Sequence, residues 1–335
     1  HVFKQKRASC LVNPRACHET ELVYRPTAAK KRIAVVGAGP AGLACATVLA
    51  ERGHSVDLFD AAAEIGGQFN MAKQIPGKEE FFETLRYFKR RIEITGVNLH
   101  LNQQVTAEVL GEGKFDEVFL ATGVTPRDPK IPGQDMPHVL SYIDVLRDKK
   151  PVGKRVAVVG AGGIGFDVAE FLVDEGHSPA LDNGLWMKEW GVVDPSIARG
   201  GVAKPEVSAP ARTVTLLQRK ATTVGKGLGK TTGWIHRAAL KMKNVEMLSG
   251  VNYERIGEEA GGLGLFITFG EKRQDGTVLA VDNIVLCAGQ EPLRELLEPL
   301  RAAGVKTHLI GGADEATELD AKRAIDQGTR LAAAM

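Results

Sequence analysis

Residues 33–42 (IAVVGAGPAG) decide the fold. Their four apolar residues predict a buried strand, their three glycines predict a tight turn, and residues 43–51 predict a helix that packs on the strand. Gly37 permits the turn, Gly39 leaves room for a pyrophosphate beside the backbone, and Gly42 allows close helix–strand packing. The alternative is an ordinary glycine-rich helix start. The pattern favours a dinucleotide site at the helix N-terminus.

The next strand, 55–59, ends at an acid. Asp60 follows Gly42 by 18 residues, near the spacing of about 20 at which a carboxylate accepts hydrogen bonds from ribose hydroxyls. Gly67 and Gln68 follow in a second glycine-containing turn, which either lets the backbone pass close to a bulky ligand or is an ordinary turn.

Composition excludes several function classes. The chain has 335 residues, 44% of them hydrophobic and 25% charged, which is enough for two globular domains. A net charge of +2 gives no reason to expect a nucleic-acid partner. No apolar run approaches the roughly 20 residues of a membrane span, and no signal peptide is visible, so a cytoplasmic protein is expected. Four cysteines predict no disulfide framework, and the missing initiator Met suggests a piece of a longer protein.

The fingerprint is repeated at residues 155–165 (RVAVVGAGGIG), and residues 166–173 supply its helix. Gly160 lies 123 residues after Gly37, and Gly162 and Gly165 complete the pattern. Two such fingerprints predict that one chain binds two dinucleotides.

The second site differs in charge. A polar insertion at 179–210 precedes strand 213–217, and that strand ends in Arg219 and Lys220 with no acid. Arg and Lys suit the 2′-phosphate of NADPH, whereas a solvated basic strand end is the alternative.

Each half closes in the same way, with an apolar strand, small residues, a glycine and a proline. The segment 115–123 ends in Thr122 and Gly123, and the segment 283–292 contains Ala288 and Gly289 at the equivalent place. The last strand, 307–314, leads through Gly312 to Asp314 and a helix that starts at 318, with Leu319 in its packing face. An acid for a ribityl hydroxyl and a helix N-terminus for a reduced ring indicate that the first nucleotide is FAD.

Other segments have simpler interpretations. Residues 78–94 predict a helix with an apolar face that includes Phe82 and Phe88. Short strands are expected at 98–101 and 104–106, a small sheet over 245–269 with turns at Gly257 and at Gly261 and Gly262, and a helix over 231–243. His236 is assigned no role, and Cys45 and Cys287 are expected to be buried.

The predicted fold class is α/β, with two nested Rossmann-like, three-layer domains. A linker covers 1–30, a discontinuous FAD-binding domain covers 31–150 and 295–335, and an NADPH-binding domain covers 151–294. The candidate cofactor-binding residues are Gly37, Gly39, Ala41, Gly42, Asp60, Gly67, Gln68, Thr122, Gly123, Gly160, Gly162, Gly163, Ile164, Arg219, Lys220, Ala288, Gly289, Gly312 and Asp314.

Three further stretches carry a family resemblance: SCLVNPRACHE at 9–19, EWGVVDP at 189–195 and ELDAKRAIDQGTRLA at 318–332. With the two fingerprints they resemble the C-terminal half of bacterial NADPH-dependent 2,4-dienoyl-CoA reductases, over essentially the whole chain. The resemblance implies a preceding TIM barrel that binds FMN and acyl-CoA, and electron transfer from NADPH through FAD and a [4Fe–4S] cluster to FMN in fatty acid β-oxidation.

The same resemblance makes Cys10 the last of four cluster cysteines, while the other three match no residue of this sequence. One thiolate cannot hold such a cluster, so this chain alone is not expected to contain one. The barrel's substrate site is also outside the sequence, and no catalytic side chain is predicted here.

Three alternatives remain open. Enoate reductases and trimethylamine dehydrogenase share the layout, although Arg219 and Lys220 argue against the amine dehydrogenase, which needs no NADPH. A thioredoxin-reductase-like enzyme would need a CxxC motif, which the sequence lacks. A module that holds ADP structurally, without redox chemistry, is the alternative from another class.

Overall fold

The computed structural model describes residues 5–259, 262–317 and 320–335. Its strands are β1 (Arg32–Val36), β2 (Ser55–Phe59), β3 (Asn98–His100), β4 (Glu117–Leu120), β5 (Val124–Pro126), β6 (Val139–Ser141), β7 (Arg155–Val159), β8 (Thr213–Gln218), β9 (Glu246–Ser249), β10 (Val251–Glu259), β11 (Gly262–Phe269), β12 (Gln274–Val281), β13 (Asn283–Leu286), β14 (Gln290–Pro292) and β15 (Thr307–Leu309). Its α-helices are α1 (Pro40–Glu51), α2 (Phe69–Ala72), α3 (Glu80–Thr95), α4 (Ala107–Glu112), α5 (Tyr142–Leu146), α6 (Gly163–Val173), α7 (Asn183–Trp190), α8 (Gly233–Met242), α9 (Leu297–Ala302) and α10 (Ala321–Ala334).

The first of two compact units comprises residues 1–70, 80–125 and 290–335. Its parallel sheet has the order β15-β4-β1-β2-β3, so the strand order reverses at β1. Four of the five residues of β1 are buried, as expected for a parallel strand covered on both faces. Ligands of such sheets bind at the carboxyl ends of the strands, at this reversal point.

Helices cover both faces of this sheet. On one face α1, α3 and α10 pack against Ile33, Val35 and Leu58, all fully buried. On the other face α4 and α9 pack against Val118 and Leu120. Helix α1 is apolar all round and almost entirely buried, which is why its sequence has no polar face.

The second unit comprises residues 71–79 and 126–289. Its parallel sheet, in the order β6-β13-β7-β8-β9, reverses at β7 in the same way. Helices α5, α6 and α8 cover one face. The antiparallel sheet β10-β11-β12 covers the other face through Leu263, Leu265 and Ile267, which makes three layers.

The predicted fold class is confirmed: both units are Rossmann-like and the first is discontinuous. The boundaries of the two units differ from the predicted domain boundaries. Residues 126–150 pack in the second unit because β6 pairs with β13, and Ile75 is fully buried in that unit's core. None of the helices in the described ranges is both long and apolar enough to cross a membrane.

Several local predictions were wrong. Residues 104–106 form no strand, because Thr106 caps α4 by accepting a hydrogen bond from the Val109 N–H. Gly257 makes no turn and continues β10, paired with Gly264. In α3, Phe88 is buried but Phe82 is 51% exposed. The insertion at 179–210, for which the sequence predicted no particular secondary structure, contains helix α7. Leu319 and Gly261 lie outside the described residues.

Candidate nucleotide-binding sites

The glycine loop of the first unit follows the carboxyl end of β1. A Cβ atom on Gly37, whose φ is +107°, would stand 2.3 Å from the Ala121 carbonyl oxygen. One on Gly42 would stand 1.8 Å from the Gly37 carbonyl oxygen. Only glycine fits either position, so α1 meets β1 and β4 at backbone distance. The N–H groups of Ala41 and Gly42, in the first turn of α1, have no acceptor within the helix, which makes them suited to bind an anion.

Asp60 organises the loop. Its Oδ2 accepts a hydrogen bond from the Ala38 N–H at 2.6 Å, and its Oδ1 accepts one from the Ala62 N–H at 2.8 Å. Because each carboxylate oxygen accepts more than one hydrogen bond, capacity for a ribose diol remains. The sequence assigns Asp60 to ligand binding, and the structure adds a second role in holding the loop.

The turn at Gly66 and Gly67 lies against the loop. The Gly66 N–H donates to the Ala38 carbonyl oxygen at 2.8 Å. A Cβ on Gly67 would stand 3.1 Å from the Cα of Gly39. The Gln68 side chain accepts a hydrogen bond from Gln290 Nε2 at 3.4 Å. These residues, separate in sequence, form one glycine-lined surface.

A third segment, the turn at 311–314, reaches the N-terminal part of α1. Gly311 adopts φ +63°, and a Cβ there would stand 2.7 Å from the Ala41 Cβ. Gly328 of α10 lies equally close, since its Cβ would stand 2.4 Å from the Ala41 carbonyl oxygen. Gly312, which directly follows Gly311, is buried, and Asp314 is exposed. Ala41 is therefore small because two other segments pack on it.

Gln327 and Arg294 hold this turn, and sequence reasoning missed both. Gln327 Oε1 accepts from the Gly311 N–H at 2.8 Å, and its Nε2 donates to Asp314 Oδ2 at 2.6 Å. Arg294 Nε donates to the Ala313 carbonyl oxygen at 2.6 Å. The only sequence signal was that Gln327 precedes Gly328 in the quoted motif.

The helix after the turn is described from Ala321 onward. Asp320 caps it by accepting from the Arg323 N–H at 2.6 Å. Residue 318, the predicted start, lies outside the described residues. A carboxylate therefore already occupies the positive end of α10.

The second unit repeats the first loop in detail. A Cβ on Gly160, at φ +110°, would stand 2.3 Å from the Cys287 carbonyl oxygen, and one on Gly165 would stand 1.8 Å from the Gly160 carbonyl oxygen. Gly162 and Gly163 face open space, with no atom within 4 Å of a Cβ position. The N-terminus of α6, with Ile164 in its first turn, is thus accessible to a ligand.

The strand register places Gln218 where the first unit has Asp60, and the basic pair follows it directly. Arg219 and Lys220 directly follow β8 and are exposed. Within the described part of the chain, no ion pair engages either side chain. Gln218 fixes the turn, since its Nε2 donates to the carbonyl oxygens of Lys220 and Thr222 at 2.8 and 2.9 Å.

The closing loops of the two units are also equivalent. The Gly123 carbonyl oxygen accepts from the Leu293 N–H at 3.0 Å, and that of Gly289 accepts from the Arg127 N–H at 2.9 Å. Thr122 Oγ1 additionally donates to the Leu293 carbonyl oxygen at 2.6 Å. Ala288, before Gly289, is partly buried. Each donor lies four positions after the glycine of the other pair: Arg127 after Gly123, and Leu293 after Gly289.

The cysteines form no metal site within the part of the chain that the structure describes. Cys10 and Cys17 are exposed, Cys45 and Cys287 are buried, and all four are free thiols. In the described ranges, no group of three or more His, Cys, Asp or Glu side chains is placed to hold a metal ion. Cys10 by itself does not supply the four thiolates of a [4Fe–4S] cluster.

A family profile described as pyridine nucleotide-disulphide oxidoreductase matches residues 31–320, which include both loops. The chain belongs to that family. Membership implies that it binds FAD and NAD(P)H, and the two glycine-lined cradles suit these ligands.

Relatives of this family member are longer proteins. A metal reductase of Desulforamulus reducens is 30% identical over 322 residues, covering 93% of this chain and 45% of the relative. A cinnamate reductase of Clostridium sporogenes is 34% identical over 182 residues, covering 52% of this chain and 26% of the relative. The chain thus spans less than half the length of these relatives.

The solved structure of a 2-naphthoyl-CoA reductase in complex with 2-naphthoyl-CoA has the same fold. It superposes with a TM-score of 0.82 at 24% identity and covers 100% of this chain and 44% of its own. The chain is therefore a flavin-dependent NAD(P)H oxidoreductase module related to larger reductases.

Proposed function

We propose that this chain is the NADPH-to-FAD module of a 2,4-dienoyl-CoA reductase that acts in fatty acid β-oxidation in the cytoplasm. The stretches 9–19 and 189–195 support this narrower assignment through their resemblance to that family. In the longer protein, an FMN-binding TIM barrel would bind the acyl-CoA, and Cys10 would be one ligand of a [4Fe–4S] cluster. The greater length of the relatives is consistent with such a partner domain.

The opposite charges at two equivalent strand ends carry the assignment of the two cofactors. Asp60 follows β2 in the first unit, and Arg219 and Lys220 follow β8 in the second. A carboxylate accepts hydrogen bonds from the ribose diol of FAD but repels a phosphate, whereas a guanidinium and an ammonium attract the 2′-phosphate of NADPH. The first site would therefore hold FAD and the second would hold NADPH.

Each set of residues would bind and orient one cofactor. In the first unit these are the loop glycines, Asp60, the Gly67–Gln68 turn, the Thr122–Gly123 turn and Asp314. In the second unit they are Gly160, Gly162, Gly163, Ile164, the basic pair and the Ala288–Gly289 turn. Bound FAD supplies the two-electron chemistry, so no side chain has to act as acid or nucleophile.

A visible spectrum followed by anaerobic titration tests the proposal. We expect a yellow protein whose flavin bands bleach at a much lower concentration of NADPH than of NADH. Ionic strength is held constant, because contacts with an exposed phosphate weaken with salt. A colourless protein that retains ADP would contradict the proposal and support the structural-nucleotide module. Flavin that neither nicotinamide reduces would also contradict it.

An enoate reductase is the second candidate, and the 34% identity to the cinnamate reductase favours it. Both candidates use the same reductase module. They differ in the substrate that oxidises the NADPH-reduced longer protein: a 2,4-dienoyl-CoA thioester in the first case and a free 2-enoate in the second. Stopped-flow reoxidation with each compound distinguishes them.

A further inference from the structure

A cavity of about 650 Å³ lies in the second unit, at a place that the dinucleotide fold does not use. Its walls come from the carboxyl end of α6, from α8, from residues 76–78 and from the insertion that contains α7. The volume is within the range of small-molecule sites, about 300–1,000 Å³. Helix α6 has 11 residues and a length of about 16 Å, so the cavity and the glycine loop lie at its opposite ends.

The insertion gives the cavity an aromatic wall. Trp186 and Trp190 both line it, with ring centroids 6.3 Å apart and planes inclined by 33°. Trp186 is 43% exposed although it belongs to an ordered helix. The floor is formed by Leu240 and Val173, which are buried in the core. These aromatic and aliphatic side chains suit the burial of a flat apolar group.

Three of the four basic side chains that line the cavity are paired; the fourth, His177, is exposed and is in no ion pair among the described residues. Lys243 Nζ lies 2.9 Å from a carboxylate oxygen of Glu189, and both side chains are largely buried. His236, to which the sequence assigned no role, has its Nδ1 2.7 Å from Glu170 Oε1. That hydrogen bond raises the pKa of His236. Lys78 Nζ, the third paired group, lies 2.6 Å from Asp167 Oδ1, so its charge is also compensated.

Three carboxylates of the lining lack such compensation. In the described ranges, Asp174, Glu175 and Glu206 form no ion pair. Asp174 is the C-cap residue of α6, where the helix dipole adds negative potential. Its Oδ1 accepts hydrogen bonds from the Gly176 and His177 N–H groups, so Oδ2 is the oxygen that would face a ligand. Ser178, also in the lining, has a buried hydroxyl oxygen without a hydrogen-bond partner among the described residues. The cavity therefore combines an apolar aromatic wall, an unused hydroxyl and net negative charge.

We propose that this cavity binds an amphipathic organic cation: a flat apolar body against Trp186 and Trp190, with a protonated amine toward Asp174, Glu175 and Glu206. The tryptophan rings would pack on the apolar body, and the uncompensated carboxylates would attract the amine. A carboxylate or phosphate ligand would meet repulsion from the same groups. The site is separate from both proposed nucleotide sites, and its occupancy does not depend on the proposed reductase activity.

Isothermal titration calorimetry on the full chain tests the charge requirement. The probes are 4-phenylbutylamine, 4-phenylbutanol and 4-phenylbutyrate, which share one apolar body and differ in charge. We expect saturable binding of the amine at one site, at least about tenfold tighter than the alcohol, and weaker binding still of the acid. Equal affinity for the three probes would overturn the proposal, as would the absence of saturable amine binding.

Variants locate the site. Trp186→Ala is expected to weaken amine binding about tenfold, whereas Trp234→Ala is the matched control, because Trp234 is 58% exposed in the same unit and does not line the cavity. The double variant Glu175→Gln with Glu206→Gln is expected to weaken binding of the amine but not of the alcohol. Both glutamates are exposed, so neither change should affect folding. Unchanged amine binding in Trp186→Ala, or equal losses in the two tryptophan variants, would refute the location.

Discussion

Gly165 lies so close to Gly160 that a Cβ on Gly165 would stand 1.8 Å from the Gly160 carbonyl oxygen. The same distance separates the Cβ position of Gly42 from the Gly37 carbonyl oxygen in the first unit. Each unit thus places a helix directly on the turn that precedes it.

Gly165→Ala is expected to destabilise the second unit by about 1–3 kcal/mol or more, because the added methyl group displaces the Gly160 backbone. Gly163→Ala is the control: Gly163 faces open space, and alanine favours the helix there. Thermal unfolding of the ligand-free variants measures the difference. Equal unfolding temperatures in the two variants would contradict the packing argument.

Asp60→Ala is expected to weaken FAD binding by about 10- to 100-fold. The change removes an anionic acceptor of the Ala38 N–H within the loop and of the ribose hydroxyls of the proposed ligand. Reconstitution of the ligand-free protein, followed by flavin fluorescence, gives the affinity. Asp135→Ala, at an exposed turn of the second unit, should leave it unchanged. Wild-type FAD affinity in Asp60→Ala would mean that another residue holds the ribose.

The double variant Arg219→Ala with Lys220→Ala is expected to raise the Kd for NADPH by about 10- to 100-fold while the Kd for NADH changes little. The two cations would contact only the 2′-phosphate, which NADH lacks. Lys272→Ala removes an exposed cation elsewhere in the same unit and serves as the control. A parallel loss for both nicotinamides would show that the pair is structural and does not select the cofactor.

Gln327→Leu is expected to weaken FAD binding several-fold, because the leucine keeps the approximate size but loses the hydrogen bonds to the Gly311 N–H and to Asp314. The turn at 311–314 would then no longer hold Asp314 in place. The reconstitution assay used for Asp60 measures the effect. An unchanged affinity would place Asp314 outside the FAD site.

The hydrogen bonds of Glu117 lead us to expect that acid destabilises the first unit. Burial by itself would raise the pKa of Glu117, but hydrogen bonds from Lys31 and His308 lower it, and one from Lys306 adds to them, so the pKa falls to about 2. The pKa in the unfolded chain is near 4.5. Above pH 4.5 the pairing therefore stabilises the fold by an amount on the order of 3 kcal/mol.

That stabilisation is lost as the pH falls from about 4.5 toward 2, when the unfolded state takes up the proton first. Denaturant unfolding at pH 7, 5 and 3.5 should show the decline, and Glu117→Gln should be less stable at pH 7 with a flatter pH dependence. Glu298→Gln is the control, because Glu298 is an exposed partner of Arg301 and should leave the profile as it is. A parallel profile in Glu117→Gln would mean that other groups cause the acid sensitivity.

The sequence by itself determined the two Rossmann-like units, because the signals are local. An apolar strand, glycines at fixed spacing and a helix with small residues lie within about 20 consecutive positions at Gly37 and again at Gly160. The charges after β2 and β8 were also readable, since the residue that follows each second strand lies at a known place relative to the loop.

Only the tertiary structure decided which distant segments meet. Gln327 and Arg294 hold the turn at 311–314, and nothing in their sequence neighbourhood specifies those partners. The pairing of Gly289 with Arg127 joins residues 162 positions apart. Phe82 belongs to the apolar face predicted for α3, yet it is exposed. Which side chains of a helix are buried depends on the segments that pack against it. Likewise, the sequence showed the insertion only as a polar segment, whereas α7, its tryptophans and α8 together line a cavity that no local pattern encodes.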